Sequence, residues 1–296
     1  MHLIDIMKND YKYRSNIITA IKKSSHTVNV SDIKIIEDIK RNNPELFFWN
    51  QTQYILKSDL FGTTVTLTYM YSDRERIIIG ERANKVSQLC KCQSDENTIR
   101  KIHNYLVHNI SYDYNGIGKP ENHNAGGVFL YNKGVCEGIG KAFQWLCHLC
   151  GIECAVIEGV LAGGAHLWNV VKINGKNYHV DVTQDIATTE KSWNKPSYMY
   201  YLVTDSEIKH DHIFSENFNC VNTEANPFYK AGKVFKNEPE LRRYLRSVPK
   251  SEKLIYFKYF GSLTKDNIIQ IAATELQSSL YMQENAGTYY LERTRI

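Results

Sequence analysis

The sequence predicts an α+β fold, in which a helix bearing a cysteine packs on an antiparallel sheet bearing a histidine and an aspartate. Three stretches predict it. Gly134-Val135-Cys136-Glu137-Gly138 opens an apolar stripe at helical spacing, and Ala165-His166-Leu167-Trp168-Asn169 lies in an alternating run. Tyr178-His179-Val180-Asp181-Val182-Thr183 returns after Asn174-Gly175. Period 3.6 and period 2 in adjacent segments are the mark of a helix laid against strands.

Residues 1–93 read as an N-terminal helix and strand region. Ser31-Asp32 is expected to cap a helix with Ile33, Ile36 and Ile39 on one stripe, closed near Asn43-Pro44. In residues 63–71, Thr64, Thr66 and Thr68 alternate with Val65, Leu67 and Tyr69, which predicts a strand with one wet face. Residues 73–89 follow as a helix.

Residues 94–220 form the predicted core, entered by a helix starting at Ser94-Asp95-Glu96. From Val135 onward, Val135, Ile139, Ala142, Phe143, Leu146 and Leu149 share one face, and Gly151 supplies a stop. Cys136 therefore falls in the first turn, where unpaired N–H groups and the positive end of the helix dipole favour a thiolate. Residues 153–160 read as a strand broken at Gly163-Gly164, and residues 165–173 as the next. Asn174-Gly175 signals a two-residue type I′ hairpin loop, with residues 177–183 returning. In that register Trp168 faces Asp181 and His166 faces Thr183, so all four share one side of the sheet. His166 and Asp181 become diagonal neighbours, roughly 7–8 Å apart at Cα. A three-residue loop would put them on opposite faces. His179 shares that predicted face and competes with His166 for the role of base.

Residues 221–296 alternate again: a strand at Val234-Phe235, a helix over 238–246, a strand over 253–259, a helix over 264–281 and a strand over 288–292. A small α/β appendage is predicted, with substrate or partner recognition as its expected role.

A thiol is a weak nucleophile until a base or a helix N-terminus makes it a thiolate, and an imidazole serves as base only when a third group orients it. Cys136, His166 and Asp181 can supply these three parts. Their motifs, with His166 30 residues after Cys136 and Asp181 15 residues after His166, resemble those of the transglutaminase-like superfamily of papain-type cysteine enzymes. Ile102-His103-Asn104-Tyr105-Leu106-Val107 with Ile110-Ser111-Tyr112-Asp113 resembles the helix that precedes the core in bacterial members. Ser197-Tyr198-Met199-Tyr200-Tyr201-Leu202 with Asp205 and Asp211-His212 resembles the strand that follows it. The likeness covers roughly residues 95–215. It departs at Gln184 and Phe214, where the family often has tryptophan.

The resemblance implies that Cys136 is the nucleophile, His166 the general base and acid, and Asp181 the orienting carboxylate. It further implies a thioester acyl-enzyme formed on a peptide or protein amide. Hydrolysis, by a cysteine peptidase or amidase, is the expected outcome. Protein-glutamine transglutamination or deamidation by the same triad is the alternative, and a non-catalytic binding module on the same fold a further one. The Cys136 N–H would hold part of the oxyanion, with Tyr112, Tyr131 and Asn132 as candidates for a second donor.

Composition bounds the remainder. The net charge of +4, from 36 basic and 32 acidic residues, lacks the concentrated basic surface that nucleic acid requires. Arg242, Arg243 and Arg246 read as a solvated helix face. No stretch approaches the roughly 18 apolar residues of a membrane span. The first residues have no apolar h-region, so a cytoplasmic location is expected, with leaderless export open. No cofactor and no metal are expected. Cys90, Cys92, Cys147 and Cys150 could mimic a zinc set, but Cys147 and Cys150 lie within the predicted thiol helix. A peptide or protein substrate is the expected partner, and the sequence leaves the oligomeric state open.

Overall fold

Five antiparallel strands make the central sheet, in the order His212–Ile213, Cys154–Leu161, Gly164–Ile173, Lys176–Val180, Tyr201–Val203. They belong to a computed structural model that describes residues 3–59, 62–190, 193 and 195–294. The helix Cys136–Leu149 packs on this sheet, burying Ile139, Ala142, Phe143 and Leu146 as its apolar spacing requires. Helices Asp73–Cys90, Asp95–Asn109 and Ala125–Tyr131 surround its other sides. This is the α+β arrangement predicted, with one continuous core running from Ile79 to Leu202 through Val128 and Val171.

Local chemistry sets the helix starts. Ser72 accepts the N–H of Glu75 while the Glu75 carboxylate accepts the N–H of Ser72, closing a capping box. Ser94 accepts the N–H of Asn97 in the same way.

Ahead of the core, a helix at Leu3–Lys22, absent from the elements expected there, joins Lys34–Asn42 and a three-stranded antiparallel sheet. Ile17, Ile21, Ile36, Ile39, Trp49 and Val65 make a separate cluster there. The Ile36 and Ile39 stripe is buried as expected, but the helix is entered through Ile33 without a side-chain cap, and Asp32 instead accepts the N–H of Lys34. The strand expected over 63–71 is Gly62–Thr66; beyond it Tyr69 meets Trp49 in an isolated bridge.

The C-terminal part is a four-stranded sheet, ordered Val234–Phe235, Leu254–Tyr259, Thr288–Arg293, Leu280–Asn285, with helices Glu238–Ser247 and Lys265–Leu276. The helix expected to reach Tyr281 stops at Leu276. Gln277 takes a left-handed φ of 50° and ends it, and Leu280–Asn285 turns through Ala286 and Gly287 to pair with Thr288–Arg293. This part meets the core at a stacked Trp193–Tyr290 pair, at the Tyr290 hydroxyl accepting the N–H of Tyr198, and at a buried Lys258–Glu207 ion pair of 2.6 Å.

Candidate active site

Cys136 is the first residue of its helix, and Val135 before it is extended (φ −96°, ψ 177°). Two contacts fix this start. Gly134 pairs with Tyr112 in a short parallel ladder, and the Val135 N–H donates to the carbonyl of Asn122 at 3.1 Å. That carbonyl also lies against Gly138, so closely that a Cβ there would meet it at 2.2 Å. The thiol is half-buried at the positive end of the helix. Beneath it, Glu137 bridges His123 at 2.9 Å and the buried Lys141 at 2.7 Å. Burial raises the Glu137 carboxyl, but its two cations prevail and bring it down to about 2.

The hairpin has the predicted register. Asn174 and Gly175 both have positive φ, 50° and 76°, as a type I′ loop requires, and Ile173 pairs with Lys176 through to Asn169 with Val180. The returning strand then ends at Val180, so Asp181 and Thr183 are not strand residues as expected. Asp181 caps the helix Val182–Thr188, its Oδ1 accepting the Gln184 N–H at 3.1 Å. A capping aspartate gains a hydrogen bond at the helix start that a strand position would not give it, which explains the change of direction. It still faces His166: Nε2 donates to Asp181 Oδ2 at 2.6 Å. The His166 ring also lies beside the Cys136 thiol, which adds to its basicity. The three residues are therefore together, in the order thiol, imidazole, carboxylate.

Asp181 is fully buried. Burial alone would raise its carboxyl, yet the charges and hydrogen bonds of His166 and His212 hold it well below the usual range. Burial likewise disfavours the His166 imidazolium, but Asp181 and the Cys136 thiol outweigh it and lift the ring to about 10. The His166 ring is thereby held as an imidazolium beside the Cys136 thiol.

His179 does not compete for Asp181. Trp168 Nε1 donates to its Nδ1 at 3.1 Å, and its Nε2 faces Asp205 Oδ1 at 2.8 Å. Instead, His212 from the edge strand reaches Asp181 Oδ2 at 3.0 Å. The Asp211-His212 pair is visible in the sequence, but nothing local links it to Asp181. Among the oxyanion candidates, the Tyr112 hydroxyl lies against the backbone N–H of Cys136. Asn132 closes the Ala125–Tyr131 helix in a left-handed conformation, and Tyr131 is exposed near Glu75 and Glu121. Phe214 packs edge-on against Trp168 and His179.

Among the described residues, two groups bring three possible metal ligands together: His166, Asp181, His212 and His179, Asp205, Cys220. In both, the histidine nitrogens facing carboxylates act as N–H donors, so their lone pairs are not offered to a cation while those bonds are made. Neither group contains Cys90, Cys92, Cys147 or Cys150. Cys92 and Cys150 instead direct their thiols to the carbonyls of Cys90 and Ser87.

Residues 83–182, which include Cys136, His166 and Asp181, match the sequence model of the transglutaminase-like superfamily. Kyphoscoliosis peptidase of Mus musculus is 22% identical over 148 residues, covering 44% of this chain and 22% of the relative. The Homo sapiens protein of that name matches with the same identity and coverage. The match thus spans about a fifth of the length of these curated relatives. A crystal structure of a TGase, 16% identical, covers 52% of this chain and 50% of its own, with a TM-score of 0.35.

Proposed function

Starting from the transglutaminase-like core that this chain carries over residues 83–182, we propose that it is a thiol-dependent hydrolase of peptide or protein amides, a cysteine peptidase or amidase. One observation carries the reading: the Cys136 thiol stands at a helix start beside an imidazole that donates to a buried carboxylate at 2.6 Å. The name peptidase borne by the mouse and human relatives favours water as the second nucleophile.

The proposed cycle uses each part once in each direction. The Cys136 thiolate adds to the amide carbonyl, and the negative oxygen is held by the Cys136 N–H, with the Tyr112 hydroxyl beside it as second donor. The imidazolium of His166 gives its proton to the departing amine as the C–N bond breaks, leaving a thioester and a neutral ring. That ring then takes a proton from water as it attacks the thioester. Collapse releases the acid and returns thiolate and imidazolium. Asp181 holds the ring in orientation throughout.

Incubating the protein with a denatured polypeptide and a labelled primary amine, followed by mass spectrometry, tests this. Cleaved fragments or free acids that disappear in Cys136→Ala are expected. Amine adducts in place of hydrolysis would assign the transglutaminase chemistry, and no covalent change in any product would reject an amide-directed enzyme.

A further inference from the structure

Asp181 carries two imidazoles on one oxygen. Its Oδ2 accepts from His166 at 2.6 Å and from His212 at 3.0 Å, while Oδ1 is taken by the Gln184 N–H. The second nitrogen of His212 stands 2.5 Å from Asp211 Oδ1. Asp211 Oδ2 in turn accepts from the Tyr200 hydroxyl at 2.6 Å and from Asn285 Nδ2 at 2.8 Å. Asn285 ends the outer strand of the C-terminal sheet, so the row of contacts starting at Cys136 finishes in the appendage.

A ring with a carboxylate at each nitrogen must donate from both, and only the imidazolium has two N–H groups. The His212 side chain has no exposure to solvent, so water does not dilute its charge. The groups facing it are Asp181, Asp211, the Tyr200 hydroxyl beyond its own ring at 5.5 Å, and His166 at 5.4 Å. Trp168 covers it at 4.8 Å, and the N–H of that indole donates to His179. The two acids outweigh burial and hold the His212 ring above its ordinary value; the neighbouring His179 is held below its own, first by burial and in part by the His212 charge.

We infer that His212 is a positioning residue of the thiol site: it shares Asp181 with His166 and so limits how tightly His166 keeps its proton. Asp211, anchored by Tyr200 and Asn285, keeps His212 charged. A lone buried carboxylate would bind the His166 proton harder, although that ring must release a proton and recover one in each cycle. The inference rests on the thiol-enzyme reading of the site, but it can be tested without turnover.

The rate of Cys136 alkylation by iodoacetamide is measured against pH, with the full chain and its His212→Gln variant. The substituted amide keeps an N–H donor towards Asp181 and cannot carry the charge. The alkaline inflection, where His166 loses its proton, is expected to rise by about one to two pH units in the variant. That is the size expected of a unit charge about 5 Å away at an effective dielectric of about 20 to 40. An inflection that stays put or falls overturns the inference. If the variant does not fold, nitrogen-15 spectra of the histidine rings in the unmutated protein decide. Both His212 nitrogens protonated at pH 7.5 supports the inference, and a neutral tautomer there overturns it. Absence of amide turnover would sink the proposed function and leave both measurements standing. Turnover with an unmoved inflection would reject this inference alone.

Discussion

Gly138→Ala adds one methyl group to the first turn of the thiol helix, and that methyl has no room. Its carbon would stand 2.2 Å from the carbonyl oxygen of Asn122, where ordinary contact begins at 3.4 Å. The shortfall of about 1.2 Å cannot be absorbed by a side chain swinging away, because the obstacle is backbone. The same carbonyl accepts the N–H of Val135, so pushing it also disturbs the residue before Cys136. The helix start must therefore move by about an ångström and take the thiol with it. Overpacking of this kind costs about 1–3 kcal/mol, and a misplacement of about 1 Å at a reacting atom costs about 100-fold in rate. The variant should fold, melt a few degrees lower, and react with iodoacetamide at neutral pH about 100-fold more slowly, with amide turnover falling by a similar factor. Calorimetry and timed alkylation read the two effects separately. A variant that keeps the wild-type alkylation rate would refute the claim that the Asn122 carbonyl sets the position of the thiol.

Asp181→Asn offers one acceptor oxygen to the three N–H groups that now share the carboxylate, so its amide must turn an N–H towards a donor. Turnover should fall about 10⁴-fold without vanishing, and the alkaline limb should move down, because the charge that holds the His166 proton is gone; a loss below tenfold would contradict this. Lys141→Met leaves Gln51 Oε1 without the buried ammonium and Glu137 with His123 alone. It should destabilise the chain by about 3–5 kcal/mol, read by urea unfolding, and a change under about 1 kcal/mol would count against a structural role for the pair. Stability should also depend on pH from both sides. Glu137, lowered from 4.5 to about 2, contributes stability that is present above 4.5 and lost as pH falls through 2. His166, raised from 6.5 to about 10, contributes stability present below 6.5 and lost as pH rises through 10. Urea midpoints should therefore be highest between those windows, and midpoints that climb steadily from pH 7 to 9 would be the contrary result.

Local signals carry much of the site. Asn174-Gly175 is a strong signal of a two-residue turn, and that one feature sets the pairing from which His166 and Asp181 become neighbours. The apolar stripe from Val135 to Leu146 places Cys136 at a helix start for an equally local reason. Asp181 reads as a strand residue in the sequence because Val180 and Val182 continue the alternation, while its capping of Gln184 depends on where the next helix turns. His212 is visible in the sequence as part of Asp211-His212, but its contact with Asp181 is not: its strand pairs with Cys154–Leu161 at the edge of the sheet, and no periodicity reports which strand takes an edge. The helix after Thr264 reads too long because a glutamine, Gln277, occupies the left-handed position where glycine would have announced the stop.

The contact between Asn285 and Asp211 also has a consequence for the order in which the protein is made. A chain emerging from the ribosome presents Cys136 first, then His166 and Asp181, then His212, and only 149 residues after the thiol does Asn285 appear. Folding during synthesis proceeds from the N-terminal side. The reactive sulfur therefore exists well before the last support of its row of charges, and it gains that support only when the Leu280–Asn285 and Thr288–Arg293 hairpin docks on the finished core. A growing chain is itself an unfolded polypeptide rich in amide bonds. Until that hairpin docks, Asp211 lacks one of its two anchors, so the site on an unfinished chain differs from the site of the folded protein.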